Sequence, residues 1–463
     1  MAINTLIAFP QHSKQVSGNL EMVELTDPMM VSAIILCTTF LGIFTEQFHG
    51  IERAKFAMAG AGAIIVAGQY FGFYSPQLAL EAIDWNVVFL LAIMMLIVSI
   101  MISTGGFDHL AQYLARVSGG SQLKLLILLG TVVTVISLLI DNVTTVIIFG
   151  PLIIMICRSM GISPVPYLLS AALLSDTGGV ATLVGDPPNL MIGSAAGISL
   201  NTFIVHMGPP VLLAWLSILL GMRFLFKKEL TSPIVHSFDQ VVEYTNRRLW
   251  HKSLFVMLVM VVLFVVHHRI GWQPWLVAAA CLTLLVFMSR TIELEAVTMH
   301  LETPLLIFFI SLFVVIGGVE HSGLLEVIGD QFRDAIAEHP KRAALQLLWV
   351  AAIFSALIDN IPFTAAMIPV LSGLQQDGIN VSVLWWALAM GVGMGGNGSH
   401  IGSTANVYIV TVSERLARQT GKPELAITPM LWIRKGTPVM LVTLVICSLF
   451  IVFGYDYLFV PNL

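Results

Sequence analysis

The chain has 463 residues, of which 57% are hydrophobic and 11% charged, with a mean hydropathy of +0.90. Roughly 25% charge is usual for a soluble domain, so this composition excludes a water-soluble enzyme and indicates a polytopic membrane protein with room for about ten to twelve crossings. A net charge of -5, spread along the chain, offers no basic surface for nucleic acid. Cys37, Cys157, Cys281 and Cys447 lie in apolar segments without CxxC spacing, so buried thiols are expected, with no disulfide framework, metal cage or cofactor.

In chain order, residues 1–27 form a polar, acidic tail without the basic start of a cleavable signal peptide. Apolar spans are expected at 28–47, 54–72, 86–104, 208–226, 253–270, 272–289, 303–318 and 436–454. The polar stretch 227–252 carries Lys227, Lys228, Arg247, Arg248 and Lys252, and the positive-inside rule places it in the cytoplasm. The chain is thereby divided into the tail, a first transmembrane repeat over 28–226, this cytoplasmic linker, and a second repeat over 253–463. Counting crossings from the linker puts both termini outside the cytoplasm, in the inner membrane. Arg53, Lys55, Lys124, Arg158, Arg415 and Arg418 then face inward, while Lys341 and Arg342 run against the rule.

The halves repeat each other. Ser137-Leu138-Leu139-Ile140-Asp141-Asn142 returns as Ser355-Ala356-Leu357-Ile358-Asp359-Asn360, and Pro151 returns as Pro369. Gly178-Gly179 matches Gly395-Gly396, Gly185 matches Gly402, and Asn189 matches Asn406. The first copy is entered from the cytoplasm and the second from outside, which predicts two inverted-topology repeats, an architecture of secondary transporters. A charge at the centre of a membrane helix costs about 2.5–3.5 kcal/mol or more, so a pair of such motifs points to function.

Residues 122–140 and 143–158 read as the arms of a re-entrant helical hairpin with Asp141-Asn142 at its tip, and 343–358 and 361–375 as its counterpart. Irregular backbone at that depth must line a cavity or be covered by protein. A broken transmembrane helix follows each hairpin. Ser175-Asp176-Thr177-Gly178-Gly179 leads to Gly185-Asp186-Pro187-Pro188-Asn189, and Gly391 to His400 leads to Gly402-Ser403-Thr404-Ala405-Asn406. Half-helix ends expose spare amides and carbonyls that can replace the hydration shell of a small solute.

Plainer roles compete with these. Paired glycines serve helix packing, Asp141 and Asp359 can cap hairpin arms, and the asparagines can tie hairpins to broken helices. Asp176 and Asp186 have no acidic counterpart, since Gly393 and Ser403 stand at the matching offsets, and that asymmetry favours function. His400 is a further proton-coupling candidate, although hydrogen bonding is the commoner role for a lone imidazole. His206, His267, His268 and His321 lie near span ends. Residues 107–117 and 324–335 read as interfacial amphipathic helices.

The motifs Leu139-Ile140-Asp141-Asn142-Val143-Thr144-Thr145, Gly185-Asp186-Pro187-Pro188-Asn189, Ile358-Asp359-Asn360-Ile361-Pro362-Phe363-Thr364 and Gly402-Ser403-Thr404-Ala405-Asn406 resemble the ion transporter superfamily. That group includes arsenite permeases, a class of sodium/proton antiporters of the NhaD type, and the melanosomal P protein. The resemblance implies a transport domain of hairpins and broken helices, often in a homodimer held by scaffold spans. Its substrate- or ion-binding positions correspond here to Asp141, Asn142, Thr144, Asp186, Asn189, Asp359, Asn360, Thr364, Asn397, Ser403 and Asn406, with Asp176, Asp186 and His400 as proton-coupling candidates. The chain lacks a Gly-x-x-x-x-Gly-Lys-Ser/Thr motif, so energy is expected from a gradient or from a separate cytosolic ATPase subunit. Export of arsenite or antimonite is the first expected activity and Na+/H+ antiport the alternative. An anion channel ranks below both because no Lys or Arg stands near the tips in sequence.

Overall fold

The computed structural model describes residues 25–227, 229–231, 244–267, 269–289, 292, 297–298 and 301–461. The N-terminal tail up to residue 24, much of the linker, Lys228 and His268 lie outside the described residues. Among the described residues the protein is all-helical, and eight helical segments are long and apolar enough to cross a membrane: Asp27–Phe44, Arg53–Phe71, Trp85–Ile102, Asn142–Met160, Leu200–Leu225, Arg247–Val266, Thr303–His321 and Pro423–Phe453. Hydroxyl, carboxylate and carboxamide caps start many of the helices, as at Thr26, Ser121, Asp141, Ser199, Asn246, Asp359, Ser403 and Thr428. Glycines in the left-handed region end several, as at Gly72, Gly161 and Gly421.

The first hairpin follows from helix register. Gln122–Ser137 runs parallel to Val165–Gly179, because Tyr167 Oη bonds to the Gln122 carbonyl at 3.2 Å, Thr134 Oγ1 to that of Leu174, and Ser137 Oγ to that of Ser175. The intervening arm, Asn142–Met160, must therefore return to the face it came from. In the second half Pro340–Leu357 lies parallel to Ser382–Gly396. A Cβ on Gly391 would touch Leu348 and one on Gly395 would touch Ala352, the same four-residue step on both helices. Asn360–Gln376 is the returning arm.

The inversion can be read from which ends meet. His206, at the start of Leu200–Leu225, stacks on Trp386, at the start of Ser382–Gly396, with ring centroids 4.8 Å apart. At the far end of that span, Lys435 donates to the Leu225 carbonyl and lies 4.8 Å over the Phe226 ring. The first broken helix thus leaves by the face through which the second enters. Asp27–Phe44, Arg53–Phe71 and Thr303–His321 form a separate group, with Gly60 against Thr39, Gly318 against Ile64, and Tyr74 Oη bonding to the Val314 carbonyl.

Several expectations change. The apolar run 272–289 forms a helix of 15 residues, Pro274–Met288, shorter than the other spans, while the hairpin arm Asn142–Met160 reaches spanning length. The last long helix starts at Pro429, because Thr428 and Pro429 supply an N-terminus ahead of the apolar run. Cys157, Cys281 and Cys447 are buried, but Cys37 is exposed on a face of Asp27–Phe44 with Ile34 and Leu41. The helix Gly106–Val117 does more than lie flat, since Phe107 packs edge-on to Phe149 and Trp250 and joins the hairpin arm to the span after the linker.

Candidate functional site

The two breaks and two tips meet at the centre of the fold. Pro187 and Pro188 end nothing here; they open the half-helix Pro187–Ala195, where a missing N–H costs least, with Asp186 at the position ahead. Ser403 plays that part for Thr404–Thr420. Asn189 Nδ2 donates to the Gly179 and Thr182 carbonyls at 3.1 and 3.0 Å, and Asn406 Nδ2 donates to those of Gly396 and Ser399 at 2.9 and 3.2 Å. The sequence repeat is thus a repeat of hydrogen bonds. Each asparagine staples the end of the half-helix before it.

The carboxylates break the symmetry. Asp176 Oδ1 accepts from Asn142 Nδ2 at 2.9 Å and from Ser403 Oγ at 3.0 Å, joining the first tip to the second break. Asp186 accepts from Asn360 Nδ2 at 3.3 Å, joining the first break to the second tip. Asn397 Nδ2 donates to Thr177 Oγ1 at 3.0 Å and locks the breaks together. Asp176 and Asp186 are each 1% exposed and, among the described residues, neither forms an ion pair. Five buried oxygens here have no hydrogen-bond partner among the described residues: Asn142 Oδ1, Asp176 Oδ2, Asn189 Oδ1, Asn397 Oδ1 and Asn406 Oδ1. All are acceptors. Buried acceptors without donors are costly, so this centre suits a ligand that is a cation or brings protons.

The remaining candidates have local partners. Asp141 caps its arm, with Oδ1 taking the Thr144 amide at 2.8 Å and Oδ2 the Thr144 hydroxyl at 2.6 Å. Thr364 Oγ1 bonds to the Asn360 carbonyl. His400 lies in the second break, and no hydrogen bond joins it to either carboxylate among the described residues; its Nδ1 is unpartnered. Asp359 caps the second arm through the Ile361 amide, while its Oδ2 meets Thr404 Oγ1 and Arg53.

Arg53 corrects the expectation that no cation stands near the tips. It is 306 residues from Asp359 and reaches the tip from the three-helix group. Glu302 was also missed. It is half-buried just ahead of Thr303–His321, and its carboxyl is pushed up to about 7, chiefly by burial and in part by the charge of Asp141, with Arg53 opposing. Among the described residues no His, Cys, Asp and Glu cluster is arranged to hold a resident metal.

Inverted repeats, re-entrant hairpins and a buried polar centre at the crossing of two broken helices define a membrane transporter. The citrate transporter family matches residues 34–393, and this chain belongs to it. It is 31% identical to a 46 kDa membrane protein of Mycobacterium leprae over 92% of this chain and 99% of that one. It is 32% identical to an uncharacterized transporter of Mycobacterium tuberculosis over 91% and 99%. The human P protein is 28% identical over 83% of this chain and 56% of its own, in line with the superfamily resemblance. The crystal structure of the YdaH transporter of Alcanivorax borkumensis, described as having an unusual topology, shares the fold. Its TM-score is 0.59 at 15% identity, over 93% of this chain and 99% of that one.

Proposed function

We propose that this protein is a secondary transporter of the cytoplasmic membrane that exchanges a monovalent cation, Na+ being the first choice, for protons. The observation that carries this reading is the set of five buried acceptors that have no partner among the described residues, at and around two carboxylates whose partners among those residues are neutral donors. Carboxylates so placed are offset by a cation or by a proton, and alternating between the two is what an exchanger requires. The repeats 28–226 and 253–463 supply one tip and one break each. The three-helix group acts as scaffold, the linker faces the cytoplasm, both termini face outward, and two chains pair through scaffold helices.

Export of arsenite or antimonite is a second reading, favoured by the same acceptors, because a neutral trihydroxide brings three O–H donors. Free citrate suits the centre less well. Three carboxylates would face Asp176 and Asp186 with no cationic side chain paired to either among the described residues, so a tricarboxylate would need a metal ion travelling with it.

Proton movement in everted vesicles, followed as Na+ or arsenite is added, tests both readings. Na+-driven proton movement in wild type that is lost in Asp186→Asn supports exchange. Arsenite accumulation with no response to Na+ replaces the first reading by the second.

A further inference from the structure

Arg53 stands between two cavities of about 270 Å³ each. The inner one is lined by Phe44, Glu46, Arg53, Asp359, Ile401 and Thr404 among others, and the outer by Glu46, Glu52, Arg53 and Glu302 with apolar neighbours. Glu46 and Arg53 line both. The guanidinium closes the boundary, with Nη1 paired to Asp359 Oδ2, Nη2 donating to Thr404 Oγ1 at 2.9 Å, and its carbon 5.0 Å over the Phe308 ring. The Arg53 amide also bonds to Glu46 Oε1 at 3.3 Å, which keeps a second carboxylate beside it. The other described ion pairs, such as Lys55 with Glu52 and Arg418 with Glu414, are exposed and lie within one turn of a helix or across the surface, as Arg333 with Asp377 does. The Arg53 pair alone among them joins the three-helix group to a hairpin tip.

We infer that Arg53 is a built-in competitor of the transported cation: it occupies Asp359 and Thr404 in this conformation, and a cation arriving through the Glu46–Glu302 cavity displaces it. This inference rests on the cation reading above. Three physical points carry it. A guanidinium does not lose its proton in a protein, so the pair cannot be relieved by deprotonating Arg53 and opens only by exchange at Asp359. The outer cavity holds three carboxylates against one base, an excess that concentrates cations at its mouth. Glu46 and Glu302 line the space into which a released Arg53 would swing, so it leaves one carboxylate for others.

The test uses the full chain in proteoliposomes with Arg53→Gln, Arg53→Lys, Asp359→Asn and the double variant Arg53→Gln/Asp359→Asn. With the competitor gone, Arg53→Gln lowers the Na+ concentration for half-maximal proton exchange by roughly tenfold, the scale of one partly buried charge pair. Arg53→Lys, which keeps the charge but loses the fork to Thr404, gives a smaller shift in the same direction, and the shift vanishes in the Asp359→Asn background. An unchanged Na+ dependence in Arg53→Gln, or the same shift with Asp359 already neutral, overturns the inference.

Amide exchange across 358–364, read without Na+, supplies a measure independent of cargo. Faster exchange at the tip in Arg53→Gln, no faster in the double variant, supports the clamp on Asp359, and unchanged exchange overturns it. A wild type that moves no Na+ while the tip still responds defeats the cation reading of the centre and leaves the clamp standing.

Discussion

The two breaks share a backbone and differ in charge. Asn189 and Asn406 make the same pair of bonds at equivalent places, and Ser137 and Ser355 each bond to a carbonyl of the half-helix beside them. Yet the first break carries Asp176 and Asp186, where the second has Gly393 and Ser403. The shared part is what an interrupted helix needs to survive in a membrane. The unshared part is therefore the place to look for cargo. The contacts agree, because each carboxylate reaches across to a residue of the opposite repeat, Ser403 in one case and Asn360 in the other.

Substitutions at dyad-related positions can break this contrast. The largest effect belongs to charge: Asp176→Asn and Asp186→Asn each keep the shape and lower transport roughly ten- to hundredfold, the scale of a buried charge-assisted contact. A vesicle flux assay with normal activity in either variant would return that carboxylate to scaffold. Next come the glycines at the second half of each break. A Cβ on Gly185 would sit 2.5 Å from the Ser137 carbonyl oxygen and one on Gly402 2.6 Å from that of Gly396, with backbone that cannot rotate away. Alanine at either position should cost about 2–3 kcal/mol, read as a lowered midpoint in detergent melts, and similar losses in both halves are expected.

Smaller and again equal is the loss from Asn189→Ala or Asn406→Ala, about 2 kcal/mol for two buried carbonyls left without donors. A clear inequality in thermal melts would show that one staple also holds cargo. The smallest effect is a pH drift. The Glu302 carboxyl rises from an ordinary 4.5 to about 7, facing Asp141 on the first tip, Arg53 on the neighbouring helix, Tyr408 on the second broken helix, and the Glu46 and Glu52 side of the cavity. Between those values the folded state binds more protons than the unfolded, so its contribution to stability is present below 4.5 and is lost as pH rises toward 7. Melting points of wild type should fall over that window, and Glu302→Gln should flatten part of the slope.

What could be read from sequence was whatever the duplication wrote twice. The Asp-Asn tips, the glycine pairs and the break asparagines recur at fixed offsets, and inversion followed from charge placement. Arg53 was hidden for a physical reason. Positive-inside counting groups it with Lys55 as a loop cation, whereas it begins a helix whose face of Ala57, Gly60, Ile64 and Gly68 is buried. Its place four residues before Ala57, on that same face, was the available signal. Glu302 offered none, since its burial depends on contacts from other elements. Asp141 shows the reverse case: the motif marks it, but Thr144 occupies both its oxygens.

The close seating of hairpin on broken helix has a mechanical side. A Cβ on Gly178 would meet Thr134 backbone, and one on Gly395 would meet Ala352 at 2.5 Å, so main chain lies on main chain with no side-chain cushion between. Such a joint has no slack in which one helix could slide past the other. The hinge for any displacement of the polar centre therefore belongs in the connections around these blocks, and such a displacement would carry each hairpin with its broken helix as one piece.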